Sequence, residues 1–242
     1  MRCRERRISA TAGHDRGVPG RALSSARRCG RHRGPTLALY SGVHDPNFVV
    51  GAGPDAPVVI GTILEIIVAL AGIGTAIVLH PVVRRQNETV ALGFVGARVL
   101  EASAIFAGVV SLLSVVRLRQ AGAGTDALVT AQALVAQYDG FFLGQGLLPV
   151  ANALLLGSLL YRSRLVPRIL PVLGFIGAPL LLSALIGTMF GINDSQTAWS
   201  GLTVIPIALW EFSLGIYLVV KGFKPSPITA GLTAAGQGTA AR

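Results

Sequence analysis

Residues 58–83, VVIGTILEIIVALAGIGTAIVLHPVV, decide the fold. At 1.5 Å per residue an unbroken helix of this length covers the ~30 Å hydrocarbon core of a bilayer. One charge, Glu65, interrupts it, and Arg84-Arg85-Gln86-Asn87-Glu88 ends it. A buried strand needs only four to eight apolar residues, so a transmembrane helix is the reading that fits. Four more apolar runs follow, at about 89–116, 140–161, 169–192 and 199–220. Residues 125–138 (TDALVTAQALVAQY) have helical spacing and mixed polarity, which predicts an interfacial helix or the entry to the third span. The fold class expected is all-α, a polytopic transmembrane helical bundle of five spans.

Composition agrees with this. Apolar residues make up 52% of the 242 and charged residues 13%, about half the share usual in soluble domains. The formal net charge of +10 is an effect of placement, because 10 of the 21 basic residues lie between Arg2 and Arg33. That stretch has no aromatic residue on which bases would stack, so nucleic acid is not an expected partner. It is rich in Arg, Gly and Ser and has no apolar period, so residues 1–40 are expected to be a disordered basic tail. No apolar stretch of signal-peptide length follows the basic residues. Both cysteines, Cys3 and Cys29, lie in this tail, and the four histidines are scattered. A disulfide framework, a metal site and a cofactor are therefore not expected in the bundle. Residues 41–57 read as an extracytoplasmic loop, 58–224 as the bundle and 225–242 as a disordered tail.

Lysine and arginine near span ends set the orientation. One set of loops holds Arg84, Arg85, Arg162, Arg164, Arg168, Lys221 and Lys224; the other holds Arg117 and Arg119 beside several aspartates. The first set, with the C-terminus, is expected in the cytoplasm of a bacterial inner membrane. Five spans then place the N-terminus outside, against its own basic charge. Such Arg/Gly/Ala/Pro-rich sequence is what out-of-frame translation of GC-rich DNA yields. Residues 1–40 are accordingly expected not to belong to the natural chain, with a sixth span in their place; the alternative is a genuine exposed tail.

Several local patterns, weak singly, are specific in their order. They run from Asp45-Pro46-Asn47-Phe48 and Ile63-Leu64-Glu65 to His80-Pro81-Val82-Val83-Arg84-Arg85, Glu88 and Ala91-Leu92-Gly93-Phe94. Ala97-Arg98-Val99-Leu100-Glu101, Leu160-Tyr161-Arg162-Ser163-Arg164-Leu165-Val166-Pro167-Arg168, Ala208-Leu209-Trp210-Glu211 and Val220-Lys221-Gly222-Phe223 complete the series. Together they resemble a bacterial membrane family of unknown function, domain of unknown function 4386, over about residues 43–224. The resemblance implies a helical bundle of six spans and assigns no catalytic residue. The chain departs from it at residues 1–40, where a first helix would stand.

Four charges lie inside the spans: Glu65, Arg98, Glu101 and Glu211. At mid-bilayer each costs about 2.5–3.5 kcal/mol on insertion scales, so they should face protein or water. Counted from the start of each span, the three carboxylates fall within about 8 Å of one another in depth. Arg98 and Glu101, at i and i+3, can pair on one helix face. Glu65 and Glu211 are left to share Arg98 or to be neutral. The cluster is expected to be a structural polar knot, with a proton-coupled transport or ligand-binding site as the alternative. Tyr138, Gln145 and Asn152, seven residues apart, share a helix face as a polar stripe, expected to form interhelical hydrogen bonds. Gly93/Ala97 and Gly174/Ala178 should mark close helix contacts. Arg162, Arg164 and Arg168 are candidate contacts for anionic headgroups. No phosphate loop, HExxH or nucleophile elbow is present, so an enzyme is not expected. The partner expected is the lipid bilayer; a homo-oligomer is left open, and no substrate is named.

Overall fold

The computed structural model describes residues 39, 40, 42–51, 53–193 and 198–224; the expectations for residues 1–38 and 225–242 lie outside these. Among the described residues the regular elements are helices only. They are α1 (Ala56–Val83), α2 (Glu88–Gln120), a 3-10 turn (Gly124–Ala127), α3 (Leu128–Gln145), α4 (Leu147–Ser163), α5 (Ile169–Met189) and α6 (Ala198–Lys221). Among the described residues five segments are long and apolar enough to cross a membrane, with α3 and α4 joined as one of them over Gly124–Ser163. The protein is a multi-pass helical membrane protein.

Local chemistry sets the helix ends. Pro57 opens α1, where its missing N–H costs nothing. Asn87 caps α2 by accepting from the Val90 N–H at 3.0 Å. Gly122, Gly191 and Gly222, all with φ near +65°, follow α2, α5 and α6, the left-handed stop that favours glycine. Arg164 takes the same conformation after α4, with φ 54°. The buried Leu165 and Val166 behind it, at 0% and 1% exposure, hold that less favoured turn in place.

The third span is where sequence and structure differ. Residues 125–138 are the entry to this span, one of the two readings the sequence allowed, since the span extends over Gly124–Ser163. Residues 125–127 lie in the 3-10 turn and 128–138 in the 18-residue α3, which packs along α2 and passes at Gly146 into α4. Pro149 explains the joint. Its ring clashes with the carbonyl four residues back, that of Gln145, so the helix breaks there. Leu185 of α5 occupies the space beside Gly146; a Cβ at that glycine would stand 2.8 Å from it.

α1 lies on α2, α2 contacts both α3 and α4, α4 packs on α5, and α5 on α6. The main core gathers Phe94, Leu156, Leu160, Leu181 and Trp210. A second cluster at the far end joins Leu112, Val115 and Tyr138 to the segment 40–51 through Tyr40, Val43, Phe48 and Val49. On α1, Ile60, Ile67, Val68, Ile77 and Val78 are more than half exposed, as are Leu209, Phe212, Ile216 and Val219 on α6. Faces this apolar suit lipid rather than water.

The α5–α6 contact depends on missing side chains. A Cβ on Gly177 would meet the Ile207 backbone nitrogen at 2.8 Å, and one on Gly174 would meet the Trp210 ring at 3.0–3.2 Å. Gly93 meets only Leu155 side-chain carbons, at 3.7 Å, an ordinary contact. Backbone cannot yield as a side-chain tip does. Gly177→Ala should therefore lower stability to denaturant in detergent by about 1–3 kcal/mol. Gly96→Ala, with nothing within 4 Å of the added carbon, should be neutral or stabilising by up to about 1 kcal/mol.

Candidate functional site: two polar networks at different depths

The four intramembrane charges divide into two groups. The first is built on α2. Arg98 Nη1 donates to Glu101 Oε2 one turn along, at 3.0 Å. Its Nη2 donates to Glu211 Oε1 of α6 at 2.7 Å. Asn152 of α4, fully buried, donates to the same Glu101 oxygen at 2.9 Å. Gly72 of α1 faces the Arg98 side chain, close enough that a Cβ would touch its Cδ at 3.8 Å. The guanidinium thus ties α2 to α6, and Glu101 carries the network on to α4. Arg suits this position because its planar fork offers donors in two directions and its charge is permanent. Phe94 lies under it, 5.9 Å from ring centroid to guanidinium carbon, a cation–π distance.

Glu65 stands apart. Its Oε1 accepts from the Tyr138 hydroxyl of α3 at 2.7 Å. Tyr40 packs edge-on to Tyr138 with ring centroids 5.5 Å apart. The Tyr40 ring lies flat enough on Gly61 that a Cβ there would stand 2.6 Å from it. The segment carrying Tyr40 is held by His44, whose ring bonds the Tyr40 carbonyl at 2.8 Å and Asp139 at 3.1 Å. Nearby, Arg119 pairs with Asp55 at 2.8 Å and stacks on Phe48 at 4.6 Å.

Depth separates the two groups. The end of the bundle with Val83, Glu88, Ser163 and Lys221 is a common origin. From it, at 1.5 Å per residue, Arg98 and Glu211 are about 15 Å in, Asn152 about 17 Å and Glu101 about 20 Å. Glu65 is about 27 Å in. Within a ~30 Å core that starts at this end, the first group is central and Glu65 is near the opposite boundary. The sequence expectation that all three carboxylates share a level fails for Glu65. That expectation counts Glu65 and Glu211 from the outer ends of α1 and α6 and Glu101 from the opposite end of α2, and these helices differ in length, at 28, 24 and 33 residues.

The polar stripe is likewise divided. Tyr138 serves Glu65 and Asn152 serves Glu101, while the Gln145 Oε1 is buried without a partner at the break in the helix. The seven-residue spacing placed both donors on one face; the joint at Gly146 then sends them to different carboxylates. Tyr40 and His44 were missed. Their signal, a short run Leu37-Ala38-Leu39-Tyr40 followed by turn residues, is too brief to show that it docks on Glu65. A groove of about 360 Å³ between α2 and α3 is lined by Phe106, Ser111, Ser114 and Gln137 among others and by none of the four charges.

The basic residues collect at the common-origin end. Arg162 and Arg168 are exposed, and Arg168 stacks on Tyr161 at 5.0 Å. Lys224 is pinned there by its N–H to the Leu165 carbonyl at 2.9 Å.

A family model, "Domain of unknown function (DUF4386)", matches residues 34–222. The chain belongs to that family. No curated protein and no solved structure matches it.

Removing the Tyr138 hydroxyl leaves the half-buried Glu65 oxygen without its donor. Tyr138→Phe should cost about 1–3 kcal/mol in detergent unfolding. Tyr161→Phe, at the exposed end of α4, should change stability by less than about 0.5 kcal/mol.

Proposed function

We propose that this member of the DUF4386 family is a membrane protein in which Arg98, Glu101, Glu211 and Asn152 form a packing clamp at mid-bilayer. One observation carries this. The Arg98 guanidinium bonds at once to its own helix and to α6, and Asn152 joins α4 to the same carboxylate, with distances of 2.7–3.0 Å. These helices are far apart in sequence, and α6 otherwise packs chiefly on α5. A central charge that must be neutralised selects one arrangement of α2, α4 and α6. The alternative, a carrier working through the same residues, draws less from the geometry, since Glu101 and Glu211 are both already engaged by Arg98.

The orientation follows from charge. Arg84, Arg85, Arg162, Arg164, Arg168, Lys221 and Lys224 gather at one end, which supports a cytoplasmic C-terminus and an inner-membrane location. Residues 42–55 then lie on the extracytoplasmic side. Arg162, Arg164 and Arg168 would meet anionic headgroups, each worth about 1 kcal/mol near the surface.

The clamp is tested by breaking it and then by replacing it. Arg98→Met strands two carboxylates and should destabilise the folded protein by about 3–5 kcal/mol, read as a loss of monodisperse protein and a lower unfolding midpoint. The triple variant Arg98→Met, Glu101→Leu, Glu211→Leu removes every charge and should regain most of that loss. An Arg98→Met protein with a wild-type midpoint would refute the clamp. For orientation, in a protein with Cys3 and Cys29 replaced by Ser, a cysteine at Ser226 should be labelled by an impermeant thiol reagent in inverted vesicles and protected in intact cells; the reverse would overturn it.

A further inference from the structure

We infer that the groove between α2 and α3 holds a phospholipid of net negative charge, with one acyl chain along the groove and its headgroup phosphate on Arg117. The lipid belongs to the leaflet away from the basic loops. That leaflet is the extracytoplasmic one under the orientation proposed above, but the site itself does not depend on that orientation.

The groove changes character along its length. Phe106 and Phe141 line its deeper part, Val110 lies above them, and Ser111 and Ser114 line the shallower part. Counted from the common-origin end at 1.5 Å per residue, Phe106 is about 27 Å in, just inside the opposite boundary of a ~30 Å core. Ser114 is about 39 Å along α2, which an ordinary tilt of ~20° brings to the level of the headgroups. The two hydroxyls donate to carbonyls of their own helix, Ser111 to Ala107 at 3.0 Å and Ser114 to Val110 at 2.8 Å. They ask nothing of a ligand, so the wall accepts an acyl chain over its whole length.

Two polar groups remain to meet a ligand, and both stand where a phospholipid is polar. Gln137 is exposed on the groove wall. Its neighbour Tyr138 packs on Gly108, where a Cβ would meet the ring at 3.2 Å, so Gln137 is level with the middle of the groove and its amide can donate to an ester carbonyl. Arg117 continues the groove face of α2, three residues beyond Ser114 and seven beyond Val110. Side chains on a helix lean toward its N-terminus, so Arg117 reaches back over Ser114 toward the groove mouth.

Arg117 is exposed and, among the described residues, pairs with no carboxylate. Arg119 beside it is taken up by Asp55 and Phe48. An unpaired cation over a mainly apolar groove at a membrane boundary is complementary to a phosphate over an acyl chain. A helix from a second copy would fill the groove and leave that charge unmet.

Quenching by brominated lipids tests this in the full chain. With Cys3 and Cys29 replaced by Ser, Ser103→Cys is labelled with bimane. Ser103 is exposed on the same face of α2, one turn below Phe106, and in the half of the core away from the basic loops, so lipids held at those loops do not reach it. Vesicles of phosphatidylcholine carry a minor fraction of brominated phosphatidylglycerol or, in parallel, of brominated phosphatidylcholine. The phosphatidylglycerol should quench as if bound about fivefold more tightly, the preference one arginine near the surface supplies. Arg117→Gln should bring the two lipids to equality. Val110→Trp, which fills the groove at an exposed position without touching a charge, should do the same. Equal quenching in the parent protein overturns the site, as does a preference that survives Arg117→Gln. A preference that survives Val110→Trp also overturns it, because the charge would then act without the groove. Weak quenching by both lipids overturns it too, and would mean that a second copy covers this face.

Discussion

A guanidinium in the middle of a bilayer must be met by opposite charge, and the rest of this bundle is arranged around that need. Arg98 is about 15 Å from the basic end of α2, too deep for its side chain to reach water comfortably. Its own helix supplies Glu101 and α6 supplies Glu211. Asn152 adds α4 to the same knot. The apolar core around it, from Phe94 to Trp210, gives bulk but little direction. In lipid, apolar contact between helices has no solvent to escape, so packing quality and polar bonds choose the arrangement. Gly174 and Gly177 let α6 approach closely enough to present Glu211.

Glu65 follows a different logic. It is bonded by Tyr138 and covered by Tyr40, at the level where His44 and Asp139 meet. Here the segment 42–51 packs on the bundle, with Val43, Phe48 and Val49 in one cluster with Leu112, Val115 and Tyr138. Tyr40, Phe48 and Arg119 make this end a compact cap rather than a loose loop. The bundle therefore carries one charged network at its centre and one polar network near a face.

The spans were legible because a run such as residues 58–83 leaves little choice: its backbone must satisfy itself in lipid, and a helix does so. The Arg98–Glu101 pair was legible from its i, i+3 spacing. Glu211 as the second partner was one of two possibilities, because sequence gives no register between distant helices. Glu65 was misplaced because depth depends on which ends are level, and α1 and α2 run past their neighbours. The stripe Tyr138–Gln145–Asn152 identified true hydrogen-bonding residues but assumed an unbroken helix. Pro149 held the information that it breaks, through its clash with the Gln145 carbonyl.

The most direct measurement is a pair of double-mutant cycles on unfolding free energy in detergent, one joining Arg98→Met with Glu211→Leu and one joining Arg98→Met with Glu65→Leu. Two networks at different depths predict strong coupling in the first cycle, on the order of 1–3 kcal/mol, and additivity within about 0.5 kcal/mol in the second. Equal coupling in both would mean that Glu65 belongs to the same charged cluster, and additivity in both would mean that Arg98 does not hold α6 at all.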